Sequence, residues 1–164
     1  MERAIDVARY FISLDIEHRL FNKELITRNG RSFYEGNARL NKYLQMAQNV
    51  YIAKTGNKLF EDDMYAYDNG AVVLRVQENY SILIAKKKDV VFSEDISLFL
   101  KKIFNLLENA TIDELIELSH EDDAWASKHT HYFKDSQKMD SLDYASEYKE
   151  QYADVLLLME KMPV

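Results

Sequence analysis

From Tyr34 to Lys54 the chain contains no proline, and its apolar side chains return every three or four residues. Leu40, Tyr43, Leu44, Ala47, Val50, Tyr51 and Lys54 fall on one face of a helix read over that span. Met46, Ile52 and Ala53 widen the stripe, and Gly56 supplies a stop two residues on. The breadth of the stripe marks this segment as the central helix of the domain.

The flanking segments follow the same logic. Ile5, Ala8, Phe11 and Ile12 define a helix from about Glu2 to Leu14. Asp15 to Thr27 keeps a helical composition and is read as a second helix, closed by the Asn29-Gly30 turn signal. Around Asn69-Gly70, the β-formers of Tyr65-Ala66-Tyr67 and Ala71-Val72-Val73 leave two options. One is a small β-hairpin near residues 64–73, the other a loop leading into a helix. From about Val72 to Lys86, helical spacing of Val73, Val76, Tyr80 and Leu83 competes with a strand over Tyr80 to Ala85.

Further along, Ser93 is an N-cap, with Glu94 and Asp95 in the first turn. Ile96, Phe99, Leu100, Ile103 and Leu107 form the stripe of that helix. Thr111 and Glu114 make a capping box for a short helix that turns Ile112, Leu115, Ile116 and Ser119 inward. Glu121 to Asp140 is polar and loop-like. A last helix runs from about Ser141 to Met162, lined by Ala145, Tyr148, Tyr152, Val155, Leu156 and Met159. One proline and four glycines in 164 residues agree with long helices. The expected fold class is mainly α: a single helical domain over 1–164, with five to seven helices around the one at 34–54.

Several chemistries are excluded by residue supply. Without cysteine there is no disulfide, thiolate metal site or cysteine nucleophile. Glycines at 30, 36, 56 and 70 lie too far apart for a P-loop or a dinucleotide fingerprint, and no G-x-S-x-G elbow occurs. The charged N-terminus and the lack of an 18–20-residue apolar stretch lead to the expectation of a cytoplasmic protein with no membrane partner. A net charge of −7 argues against broad nucleic-acid binding and suits a basic partner protein. Lys86-Lys87-Lys88 and Lys101-Lys102 read as a solvated loop and a solvated helix face.

His120, His129 and His131, beside Glu121-Asp122-Asp123, are the residues from which a zinc site would be built. Their spacing fits no zinc-enzyme pattern, and solvated histidines on a polar loop are the favoured reading. The runs Glu61-Asp62-Asp63 and Glu121-Asp122-Asp123 read as solubilising charge. The expectation is therefore no catalytic residue, no metal, no cofactor and no enzyme. Among the aromatics, Tyr43, Tyr51, Tyr148 and Tyr152 sit on apolar stripes and belong to the core. Tyr65 and Tyr67 beside a turn suit a surface platform. Trp125 is read as a plug fixing the polar stretch to the helices, in preference to an interface anchor.

Four runs carry a family resemblance. Leu40-Asn41-Lys42-Tyr43-Leu44-Gln45-Met46-Ala47-Gln48-Asn49-Val50-Tyr51 resembles a central-helix signature, K-L-L-Y-x-A-Q followed by an aromatic. Ala53 to Phe60 is similar to A-x-x-G-x-P-L-F, Tyr65 to Val73 to I-E-A-W-x-x-G-P-V-V, and Leu118 to Trp125 to L-T-H-x-E-x-P-W. These are motifs of the Panacea domain, also called SocA-like or phage-associated GepA-like, and the chain resembles a divergent member. Lys58, Ala71 and Ala124 stand where that family often has proline, and Asp15 to Gly36 is longer than the family pattern.

The resemblance implies a helical antitoxin that neutralises a separately encoded toxin by direct contact, with no catalytic residue. It also implies an alternative: a phage-derived adaptor or host-takeover protein that binds a protease or another host machine. A metal-dependent hydrolase using His120, His129 and His131 is the third reading. The motif positions taken as candidate binding residues are Lys42, Tyr43, Gln48, Tyr51, Tyr67, Gly70, His120 and Trp125, although the favoured reading makes them scaffold, with partner contacts elsewhere. Within the motifs, His120 and Trp125 are expected to dock on the central helix, and Tyr67 and Gly70 to shape the turn that meets them.

Overall fold

A computed structural model describes residues 1–129 and 137–163. The chain is mainly helical, with two small antiparallel hairpins. Helix α1 (Ala4–Leu14) buries Ala4, Val7, Ala8, Phe11 and Ile12. The segment after it is not the expected second helix. Asp15 is buried, and its carboxylate accepts from the backbone N–H groups of Arg19, Leu20 and Phe21 at 3.1, 2.9 and 2.9 Å. Those bonds stabilise a tight turn that a helix would have to break. Strands β1 (Leu25–Arg28) and β2 (Arg31–Tyr34) follow. Asn29 and Gly30 join them with φ of 53° and 73°, the positive pair that a tight hairpin turn requires. The break at Asn29-Gly30 was visible in the sequence, but the four-residue strands beside it were not.

Helix α2 (Glu35–Thr55) is the central element, and Gly56 caps it through its N–H on Ile52 O at 2.8 Å. Its apolar face packs on α1 and on α5 (Glu94–Leu107). Tyr43 is fully buried there, with the rings of Phe11, Phe21 and Phe104 at 5.6, 5.4 and 6.0 Å in edge-to-face geometry. Each such pair adds about 0.5–1.5 kcal/mol beyond burial. Burial pushes the Tyr43 hydroxyl up to about 12. Lys54 is exposed rather than on the buried face, at the frayed end of the stripe.

Strands β3 (Tyr65–Tyr67) and β4 (Gly70–Val72) form the hairpin that was one of the two options at 64–73. The next segment is helical, and no strand forms over Tyr80 to Ala85. It breaks at Asn79 into α3 (Leu74–Glu78) and α4 (Tyr80–Ala85), with the Asn79 amide turned back onto Arg75 O at 2.7 Å. Helix α5 carries the expected Ser93 cap, bonded by Ile96 N at 3.3 Å. Helix α6 (Ile112–His120) carries the full capping box of Thr111 and Glu114.

Within the polar stretch, α7 (Asp123–Ala126) forms one turn beyond an Asp122 cap. The last predicted helix is instead a 3-10 turn (Ser141–Tyr144), α8 (Ala145–Gln151) and α9 (Ala153–Lys161), broken at Tyr152. The two breaks and α7 account for nine α-helices among the described residues where five to seven were expected. None of the described helices is long and apolar enough to cross a membrane.

Candidate functional site

The second face of α2 is polar, and it is buried as well. Asn41, Lys42, Gln45, Gln48 and Asn49 are each at most 4 % exposed. Burying so many polar groups is tolerable only when they find partners, and together they hold three segments, around Phe60, Ala71–Val73 and Asp122. Asn41 Oδ1 accepts from Val73 N at 2.8 Å. Lys42 Nζ donates to Ala71 O at 3.2 Å. Gln48 Oε1 accepts from Leu59 N and Phe60 N at 2.7 and 3.2 Å, and its amide donates to Phe60 O at 2.9 Å. Gln45 Nε2 donates to Asp122 Oδ2 at 2.9 Å, and Asn49 Nδ2 donates to the same oxygen at 2.8 Å.

Asp122 is the hub of this network and is fully buried. Its second oxygen accepts from Tyr148 OH at 2.6 Å and from Ala124 N at 2.9 Å. Burial and the Asp122 carboxylate together push the Tyr148 hydroxyl far upward, so it stays a donor. The acid that was read as solubilising charge is thus an interior acceptor joining α2, α7 and α8. Ser119 completes the link. Its hydroxyl donates to Gln45 Oε1 and accepts from Ala71 N at 3.0 Å.

Trp125 is buried, and its indole N–H donates to Tyr67 O at 2.9 Å. His120 and His129 stack on it, with ring centroids at 4.0 and 4.2 Å and interplanar angles of 16° and 9°. Two imidazoles so close to one ring cannot share a face, so the indole separates them. This corrects the reading of these histidines as solvated. His120 Nε2 donates to Asp68 O at 3.0 Å, and His129 Nδ1 donates to Ala126 O at 3.0 Å. Burial, aided by the charge on Lys42, holds His120 below the usual histidine range. With the indole between them, His120 and His129 cannot ligate one ion. His131 lies outside the described residues. No group of three potential ligands comes together among the described residues.

The turns of the two hairpins are clasped. Asn29 Nδ2 donates to Asn69 Oδ1 at 2.8 Å, and Asn69 Nδ2 donates to Arg28 O at 3.3 Å. Between the hairpins lies a cleft of about 970 Å³. Arg31 and Phe33 of β2 form one wall, Tyr67 to Gly70 the other, and Asn37, Asn41 and Lys42 of α2 the floor. Gln77, His129 and Gln137 reach its rim. Gly70 has a φ of +109°, and a Cβ there would lie 2.6 Å from Ser119 Oγ and 2.9 Å from Lys42 Nζ. Only glycine lets the hairpin settle on Lys42.

The sequence-derived candidates therefore separate by place. Lys42, Tyr67 and Gly70 meet at the cleft. His120 and Trp125 lie behind the β3–β4 hairpin and hold it. Tyr43 and Gln48 are interior, and Tyr51 packs on Phe99 of α5 at 5.5 Å. Tyr65 and Tyr67 are half-buried and do not form an open platform. Arg31, Asn37, Asn69 and Gln77 at the cleft, and Gln45, Asn49 and Asp122 beneath it, were missed. The spacing of Asn41, Gln45 and Asn49, four residues apart on a helix already assigned, was the available signal for the interior set. Chemically the cleft offers amides, hydroxyls, one guanidinium and one buried amine, a set suited to polypeptide recognition.

A family model described as antitoxin SocA-like, Panacea domain, matches residues 40–126, more than half of the chain. The chain belongs to that family. No curated protein and no solved structure gives a significant match. The matched span contains the polar face of α2, the β3–β4 wall, and His120 and Trp125 of the stack, while His129 lies beyond it. The β1–β2 wall lies before it.

Proposed function

We propose that this member of the SocA-like Panacea family works as one domain, in the cytoplasm, as an antitoxin that neutralises a cognate toxin by direct contact in the cleft between its hairpins. Family membership carries the antitoxin-like role. The observation that supports the surface is the cleft itself, whose Asn41 and Lys42 floor and one wall belong to the family-matched span while the Arg31–Phe33 wall does not. A floor inside the family-matched span with one wall outside it suits a common scaffold that selects its own partner. The motif residues Gln48, His120 and Trp125 serve in this reading as supports of the cleft, and Tyr43 as core.

The test is co-expression with the product of each adjacent reading frame. Growth arrest by one product, relieved by this chain and accompanied by a co-purifying complex, is the expected outcome. Relief without any complex, or no toxic neighbour, would overturn direct neutralisation. Recovery of a host protease in the same complex is the result that would assign the adaptor role in addition.

A further inference from the structure

We propose that Lys42 receives a carboxylate side chain from an acidic peptide segment that enters the cleft between the hairpins. The inference rests on the reading of the cleft as the partner-binding surface. The Lys42 side chain is only 4 % exposed, yet among the described residues no carboxylate pairs with it. Among the described residues, Ala71 O is the one acceptor bonded by its three donors. Buried ammonium groups are ordinarily paired, because leaving water costs several kcal/mol (on the order of the penalty for any buried ion). An ammonium with no carboxylate partner among the described residues, at the floor of an open cleft, suits an incoming counter-charge.

Three features of the cleft agree on an acid as the ligand. Arg31 on the β2 wall adds a second cation, against Asp68 as the one acid of the lining, in a chain whose net charge is −7. Complementarity at the cleft is therefore opposite in sign to that of the whole surface. Gly70 seats the hairpin directly on Lys42, which fixes the amine before any ligand arrives. Finally, among the described residues the Lys42 amine bonds a single backbone carbonyl, Ala71 O, which leaves donors free for one carboxylate.

Proton linkage gives the site a signature. Burial brings the Lys42 amine down to about 7. A bound carboxylate favours the charged amine, so binding takes up a proton above neutral pH and weakens as pH rises. The other titratable groups facing Lys42 are His120 on α6, Asp68 and His129 around the hairpin, and Arg31 on β2. Of these, His120 is held below the usual histidine range by burial, aided by the charge on Lys42.

The test is an NMR titration of the full chain with three probes: acetyl-Gly-Glu-Gly-amide, its Gln counterpart and inorganic phosphate. The Glu peptide should shift the Gly70 and Ala71 amides and the Lys42 side chain, the Gln peptide should not, and phosphate should bind more weakly. Affinity for the Glu peptide should fall about tenfold between pH 7 and pH 8.5. Lys42→Met should abolish the response. If that variant does not fold, Arg31→Ala, an exposed change, should keep a weakened response with the same pH dependence. Equal response to Glu and Gln peptides, no response to either, no pH dependence, or loss of all binding in Arg31→Ala would overturn the proposal. Phosphate binding as tight as the Glu peptide would assign a free-anion site instead, and overturns it too. Toxin capture separates the two readings: capture that survives Lys42→Met removes the carboxylate site alone, and a Glu-specific response without any toxin removes the antitoxin reading alone.

Discussion

Gln45 on the central helix donates a 2.9 Å hydrogen bond to the buried carboxylate of Asp122, a residue 77 positions later in the chain. The bond belongs to a continuous interior network from Tyr152 and Asn49 through Asp122, Gln45 and Ser119 to Ala71 on the β3–β4 hairpin. The cleft wall is thereby anchored to the far end of the helix bundle, and the position of Lys42 is fixed from below.

Replacing Asp122 by alanine should be among the most damaging single changes. It strands the donors of Gln45, Asn49, Tyr148 and Ala124 in the interior. The expected cost is about 3–5 kcal/mol, the range for breaking a buried charged network. Urea unfolding of the two proteins measures it. A loss below 1 kcal/mol would show that the network is dispensable.

Gly70→Ala should cost about 2–4 kcal/mol, from a strained positive φ together with overpacking against Ser119 and Lys42. Gly30→Ala also has a positive φ but meets open space, so only the strain term applies. The difference between the two variants in the same unfolding experiment isolates the close approach at the hairpin.

Lys42→Met should stabilise the free protein at neutral pH, with a benefit that disappears in alkali. The folded amine lies near 7, below its unfolded value of about 10.4. Between those values the unfolded chain holds a proton that the folded chain lacks, so stability of the unmodified protein rises with pH by up to about 1.4 kcal/mol per unit. Below 7 both states are protonated and the penalty is full and constant. Lys42→Met removes this dependence, and the stability difference between the proteins, measured from pH 6 to pH 10, should shrink as pH rises.

Trp125→Phe keeps a ring between the two imidazoles but removes the indole N–H on Tyr67 O. A cost of about 1–3 kcal/mol is expected for the orphaned acceptor and the smaller ring. Amide hydrogen exchange should show the loss in the β3–β4 hairpin first, ahead of α1 and α5.

Elements whose signals are local were legible from sequence. The capping box at Thr111, the Ser93 cap, the Gly56 stop and the stripe of the central helix each depend on residues within one or two turns, and each stands in the structure. The segment after α1 was misread because composition cannot show that the Asp15 carboxylate gathers three backbone N–H groups ahead of it. The breaks at Asn79 and Tyr152 have no Gly or Pro to announce them. The polar face of the central helix carried a periodic signal in Asn41, Gln45 and Asn49, but its burial was not legible. Asn, Gln and Lys at helical spacing look solvated until distant segments from Leu59, Val73 and Asp122 arrive to cover them. The same holds for the histidines, which gain their environment from Trp125 and from the Asp68 and Ala126 carbonyls. Of the motif residues, Lys42, Tyr67 and Gly70 converge on the cleft, while Arg31 came to it through a hairpin that the sequence did not reveal.

The most direct measurement is calorimetric binding of the purified chain to the toxin recovered by co-expression, with two exposed charge reversals. Arg31→Glu lies on the cleft wall, and Lys101→Glu lies on α5, outside the cleft lining. The account expects Arg31→Glu to weaken binding at least tenfold, about 1.4 kcal/mol, and Lys101→Glu to leave it unchanged. Binding unaffected by Arg31→Glu would contradict the cleft as the neutralising surface, and a neutralised toxin that never binds this chain would contradict direct contact itself.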